Sequence, residues 1–174
     1  MKLPGATHLI VLCSSQEQAQ EALERVRRWV EENGLTLHPI KTRLVDASQA
    51  GGFDFLGYHF ERGMKWPRKK SMGKLKDTIR IKTRRTDGRS LKAICEDLNR
   101  TLRGWFEYFK HSKENVFGSV DGYTRGRLRS ILRKRMAKHG RGYGRDNQRW
   151  PNAYFTAMGL FSLRQAYLAA CRSS

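Results

Sequence analysis

Lysine and arginine are the chemistry this sequence offers most of. Lys65, Arg68, Lys69, Lys70, Lys74 and Lys76 form one run, Arg80, Lys82, Arg84 and Arg85 a second, and Arg125, Arg129, Arg133 and Lys134 belong to a third. Such side chains neutralise phosphates and release their counterions, which gives affinity with little sequence information. Trp66 and Trp150 each stand beside basic residues. There an indole can stack on an unpaired base, or it can pack inside the protein.

The placement of charge sharpens this reading. The chain has 174 residues, 35 Lys+Arg against 16 Asp+Glu, and a formal net charge of +19. Residues 1–60 hold 6 basic and 7 acidic residues, whereas 61–174 hold 29 and 9. So one-sided an excess repels itself unless it works beside a polyanion, so nucleic acid is the expected partner, ahead of an anionic membrane surface.

Other functions are easier to exclude than to find. The sequence has no Gly-x-x-x-x-Gly-Lys-Ser/Thr loop, no Gly-x-Ser-x-Gly elbow and no His-Glu-x-x-His helix. His8, His38, His59, His111 and His139 are scattered without metal-ligand spacing, and no acid pair suits two-metal phosphoryl chemistry. No metal or cofactor is expected on the protein. Cys13, Cys95 and Cys171 fit neither a disulfide framework nor a zinc site, and no apolar run is long enough to span a membrane. Without a leader-like start, the expectation is a reduced, cytoplasmic protein.

The elements that must hold these groups are legible in outline. Leu9-Ile10-Val11-Leu12-Cys13 reads as a strand buried on both faces. Ser14 or Ser15 can cap a helix whose stripe is Ala19, Ala22, Leu23, Val26 and Val30, ended by Asn33-Gly34. Leu35, Leu37 and Thr42-Arg43-Leu44-Val45 look extended, and residues 53–60 look like a strand or hairpin. Residues 65–70 read as a linker interrupted by Pro67, and 74–85 as either helix or extended arm. Ser90 can cap a long helix carrying Leu91, Ile94, Leu98, Leu102, Trp105 and Phe109, which assigns Trp105 to a core. A helix over 119–138 would put Arg125, Arg129 and Arg133 on one face, so reversing their charges together should weaken nucleic-acid binding. Gly140-Arg141-Gly142-Tyr143-Gly144-Arg145 reads as a mobile loop, Pro151 as a first helical position and 161–171 as a last helix. The fold class is α+β: a small piece of strands plus one helix over 1–60, a basic linker or arm over 61–88, and a basic all-helical domain over 89–174.

Four motifs occur in an order that resembles group II intron reverse transcriptase/maturases. They are Gly34-Leu35-Thr36-Leu37-His38-Pro39-Ile40-Lys41-Thr42-Arg43, Gly52-Phe53-Asp54-Phe55-Leu56-Gly57-Tyr58, Leu98-Asn99-Arg100-Thr101-Leu102-Arg103-Gly104-Trp105-Phe106-Glu107-Tyr108-Phe109, and Trp150-Pro151-Asn152-Ala153-Tyr154-Phe155. The last two resemble the maturase-specific region, domain X, which also serves as the polymerase thumb. By that resemblance Lys41 matches a basic palm residue near the incoming nucleotide, although Ile40 stands where the family has glutamate. Phe55, Leu56 and Gly57 match the primer-grip hairpin.

The family's catalytic strand begins Tyr-Ala-Asp-Asp, and this sequence has Gly5-Ala6-Thr7-His8 at that offset. A hydroxyl and an imidazole are poor substitutes for two hard oxygen anions at magnesium. The fingers and most of the palm are expected upstream and no zinc-bearing endonuclease segment is expected downstream, so Lys41 and the primer grip are expected to be vestigial. The resemblance implies a protein that binds structured group II intron RNA and assists its splicing without polymerase activity, magnesium coming with the RNA. Two alternatives are the C-terminal half of a split RNA-directed DNA polymerase completed by a fingers–palm chain, and a degenerate mobile-element fragment with nonspecific RNA affinity.

Overall fold

The computed structural model describes residues 9–137 and 144–172. Helix α1 (Gln16–Glu32) leads to a three-stranded antiparallel sheet, β1 (Phe53–Phe55), β2 (Tyr58–Glu61) and β3 (Met64–Pro67), in the order β1-β2-β3. Helices α2 (Lys69–Lys82), α3 (Leu91–Phe109), α4 (Asn115–Arg135), α5 (Arg145–Arg149), α6 (Asn152–Ala157) and α7 (Leu163–Arg172) follow. A small sheet followed by a mostly helical region is the α+β class expected.

Both hairpins turn on two residues with positive φ, Leu56 and Gly57 (44° and 81°) and then Arg62 and Gly63 (50° and 69°). Such turns match the right-handed twist of the flanking strands. Pro67 ends β3, which among the described residues pairs only with β2, so its missing N–H leaves no gap in a ladder. The residues read as a linker, 65–70, therefore finish a strand and begin a helix, and of the two readings for 74–85 the helix holds as far as Lys82. Leu75 and Ile79 give α2 its buried side.

The core lies among the helices. Leu75 and Ile79 of α2 meet Ile94, Leu98 and Leu102 of α3, Phe117, Val120, Leu128 and Ile131 of α4, and Phe155 and Leu163 beyond. Ser90 caps α3 with its Oγ accepting from the Ala93 N–H at 3.2 Å, and the predicted stripe faces inward, with Trp105 half-buried against Phe109 and Phe117. The fourth helix begins at Asn115, four residues before its sequence-based start, because Phe117 is already buried. Its expected end at Lys138 and most of the glycine-rich loop lie outside the described residues. Pro151 stands one residue ahead of α6, at its N-cap, and the last helix starts at Leu163.

The N-terminal part behaves differently from its expectation. Ser15 caps α1 and Gly34 takes the left-handed position after it, as read, but none of the described residues before Pro67 is buried. Leu9-Ile10-Val11-Leu12-Cys13 forms no strand, and Leu12 is 85 % exposed. Residues 35–45 form none either. An apolar run shows what a segment could bury, whereas a strand also needs a neighbour for its N–H and C=O groups, and the described residues supply none here.

Candidate nucleic-acid interface

Most carboxylates of the basic region are used internally. Asp97 takes Lys82 at 2.5 Å, Arg100 at 3.1 Å and Arg89 at 3.4 Å, and Asp87 takes Arg89 at 2.8 Å. The Lys82 hydrogen bond, assisted by Arg100 and Arg89, holds the Asp97 carboxyl down at about 2. Asp77 pairs with Arg80, Glu107 with Lys110, and Glu114 with Arg164. What is left over is cationic.

Part of that remainder lies on α2 and the loop after it, and other exposed cations, such as Lys92, Lys113 and Arg145, are spread over the remaining helices and loops. Lys69, Lys70, Lys74 and Arg84 are exposed, and none of them makes an ion pair among the described residues. Leu75 and Ile79 point inward, which turns Lys70 and Lys74 to solvent on the opposite side of the helix. The loop beyond α2 is tied to α4, because the Arg127 guanidinium donates to the Thr83 carbonyl at 2.7 Å and Arg135 donates to the Asp87 and Arg89 carbonyls. Arg84 and Lys134 stay exposed on this junction. Basic side chains fixed on packed elements are pre-organised for a polyanion.

The other sequence-selected residues fall elsewhere. Lys65 is half-buried with its ammonium 5.8 Å from the Tyr58 ring centre, Arg68 and Arg85 are half-buried, and Lys82 is committed to Asp97. The arginine face of α4 is buried at Arg129 and half-buried at Arg125 and Arg133. Arg129 is 6 % exposed and donates to the Trp150 carbonyl and the Asn152 side chain, both at 3.0 Å, with its guanidinium 5.1 Å from the Phe155 ring centre. Burial and the neighbouring Arg125 push its pKa down. Arg133 pairs with buried Asp146 at 2.6 Å, and Arg125 lies 4.0 Å from Asp121. Four-residue spacing does align the three, but the segment 146–152 packs against Arg129 and Arg133. Trp150 is 7 % exposed, which resolves its two readings in favour of packing, whereas Trp66 is half-buried on the sheet.

The primer-grip-like residues form the β1–β2 turn, with Phe55 half-buried and Leu56 at the exposed tip, and Lys41 is exposed in the segment before the sheet. Thr7 and His8 lie outside the described residues. Among the described residues, no group of three or more His, Cys, Asp or Glu could hold a metal ion. No described helix is long and apolar enough to cross a membrane.

The family model of the group II intron maturase-specific domain matches the chain from Met72 to Trp150. Residues 72–150 are a group II intron maturase-specific domain. No curated protein matches the chain significantly. The maturase-specific domain takes in α2 from Met72 onward, α3, α4 and α5, so the exposed Lys74 and Arg84 and the junction with α4 belong to it. It implies intron RNA as the partner.

Sequence reasoning missed Asp121. This carboxylate, 4 % exposed, accepts from Ser162 Oγ at 2.7 Å and from the N–H groups of Leu163 at 3.0 Å and Arg164 at 3.2 Å, so α4 caps the N-terminus of α7. A cap supplied from a distant helix leaves no local signature. Cys95 is buried, and burial pushes its thiol up to about 11, which makes it a packing residue.

Proposed function

We propose that this chain is a maturase-like RNA-binding protein that holds structured group II intron RNA and assists its folding and splicing, with no polymerase activity of its own. The observation that carries the reading is the exposed cationic side of α2 and its following loop, with Lys74 and Arg84 on the maturase-specific domain and Lys69 and Lys70 just before it, in a region whose acidic residues are mostly consumed internally. These side chains neutralise phosphates where RNA segments converge, and the RNA with its magnesium does the chemistry. Preferential binding to the active RNA fold then shifts the RNA's population toward it. Residues 1–60 are a partial palm in this reading, with Lys41, Phe55, Leu56 and Gly57 vestigial.

The test is a salt titration of intron-RNA binding by the K70E/K74E/R84E variant. Three lost phosphate contacts flatten the slope of log affinity against log salt by about two to three. An unchanged slope places the interface elsewhere.

A second reading, the C-terminal half of a split reverse transcriptase, draws on the exposed Leu9, Leu12, Trp29 and Ile40. A separate fingers–palm chain would cover them, and DNA synthesis on adding such a chain separates the two readings.

A further inference from the structure

The outward face of the sheet carries a row of three side chains that neither the core nor the cationic side of α2 uses. The register pairs Asp54 with His59 and His59 with Trp66, so the three lie side by side across β1, β2 and β3. The neighbouring row, Phe55, Tyr58 and Pro67, points the other way. Tyr58 of that row packs on Tyr108 and Phe109 with ring centres 6.0 and 4.9 Å apart, which fixes the Asp54-His59-Trp66 row on the solvent side.

This row lines an open depression of about 490 Å³, closed at its edge by Pro67 and Lys69. His59 Nδ1 is 2.7 Å from Asp54 Oδ1, its Nε2 is 3.9 Å from Glu61, and its ring centre is 5.4 Å from that of Trp66. The imidazole is therefore held in one orientation beside the indole. Asp54 is exposed, and its second oxygen has no partner among the described residues. Lys69 is the first residue of α2, a helix whose first turn has no acidic residue and whose N-cap, Arg68, makes no side-chain cap. Cations at that end oppose the helix dipole, an arrangement that an anion relieves.

We propose that this depression seats one unpaired RNA nucleotide, its base stacked on Trp66, an exocyclic amine of the base donating to Asp54, and its phosphate at Lys69. The inference rests on the RNA-binding reading and adds a base-specific contact to it. An aromatic side chain on an open sheet face offers a stacking platform that every base can use. Selection comes from the carboxylate. Adenine, cytosine and guanine can each present an amine to Asp54, whereas uracil presents carbonyl oxygens on either side of a single N–H and brings negative charge against it.

The experiment uses the full chain with oligoadenylate and oligouridylate, and with oligoadenylate carrying 2-aminopurine as a stacking reporter. Trp66→Leu keeps the apolar bulk and removes the ring. It is expected to abolish the 2-aminopurine quenching and to weaken oligoadenylate binding by roughly 5- to 100-fold, leaving the salt slope unchanged. Trp66→Phe retains most of both signals. Asp54→Asn is expected to erase the preference for oligoadenylate over oligouridylate, and this arm decides the matter if the leucine variant does not fold.

Wild-type quenching and affinity in a folded Trp66→Leu variant overturn the seat, as does equal binding of the two oligomers by the wild type. Lys74→Glu, away from the depression, separates the two claims. If it weakens binding and flattens the salt slope while Trp66→Leu changes nothing, RNA binding stands and the seat falls. If the wild type binds neither oligomer nor intron RNA, both fall.

Discussion

The Tyr108 hydroxyl donates to the carbonyl of Leu56 at 2.6 Å, joining the end of α3 to the tip of the first hairpin. Leu56 is a leucine at positive φ, 44°, and 65 % exposed, so neither its backbone preference nor its burial keeps it there. Tertiary hydrogen bonds do. Gly57, next in the turn, has its carbonyl held by the Arg68 N–H at 2.9 Å and by Ser71 Oγ at 3.0 Å. The sheet is thus positioned by the helical domain, and the depression lined by Trp66 inherits that rigidity.

Tyr108→Phe removes one of these bonds and keeps the ring stack on Tyr58. It is expected to lower stability by about 1 kcal/mol and to speed amide exchange in β1 and β2 more than in α3. Uniform exchange across the molecule would contradict the anchoring role.

Gly57→Ala should cost more. The position has φ of 81°, and a Cβ there would stand 3.3 Å from Ser71 Oγ. A loss of about 1–2 kcal/mol is expected in denaturant unfolding, and a Gly57→Ala variant as stable as the wild type would contradict the turn geometry.

Asp121→Ala is expected to free α7. It strands two backbone donors and a hydroxyl at the start of that helix, a loss of roughly 2–3 kcal/mol. Proteolysis or amide exchange confined to 163–172 would report it. Full protection there would rule the cap out.

Acid should act through Asp97. Its carboxyl is held at about 2 by Lys82, Arg100 and Arg89, below the unfolded value of about 3.9. The stabilisation is therefore complete above the unfolded value and is lost as pH falls through the folded one. Asp97→Asn should be less stable than wild type at neutral pH by about 1 kcal/mol, and the gap should close by about pH 2. A gap independent of pH would show that the charge is not what Asp97 contributes.

Periodicity and capping made α1 and α3 legible, because their stripes and Ser15 and Ser90 are local signals. The second hairpin was also local, through Gly63, but the charge of 65–70 masked it as a linker. What sequence could not show is which faces meet. Arg125, Arg129 and Arg133 share a helix face as the spacing requires, yet that face is covered, so Arg129 serves Trp150 and Asn152. Reversing all three charges would bury an uncompensated anion at 129 and set another against Asp146, which destabilises the domain, so that substitution reports stability before it reports RNA. Charge counts pointed to the basic half, whereas burial had to separate exposed cations such as Lys70, Lys74 and Arg84 from those already paired or covered.

The most direct measurement compares binding to a folded group II intron RNA and to an unstructured RNA of equal length, titrated across salt with magnesium present. The account predicts that the intron is preferred by roughly a hundredfold or more at physiological salt, about 2.7 kcal/mol beyond phosphate attraction. Equal affinity for the two RNAs, collapsing together as salt rises, would contradict it.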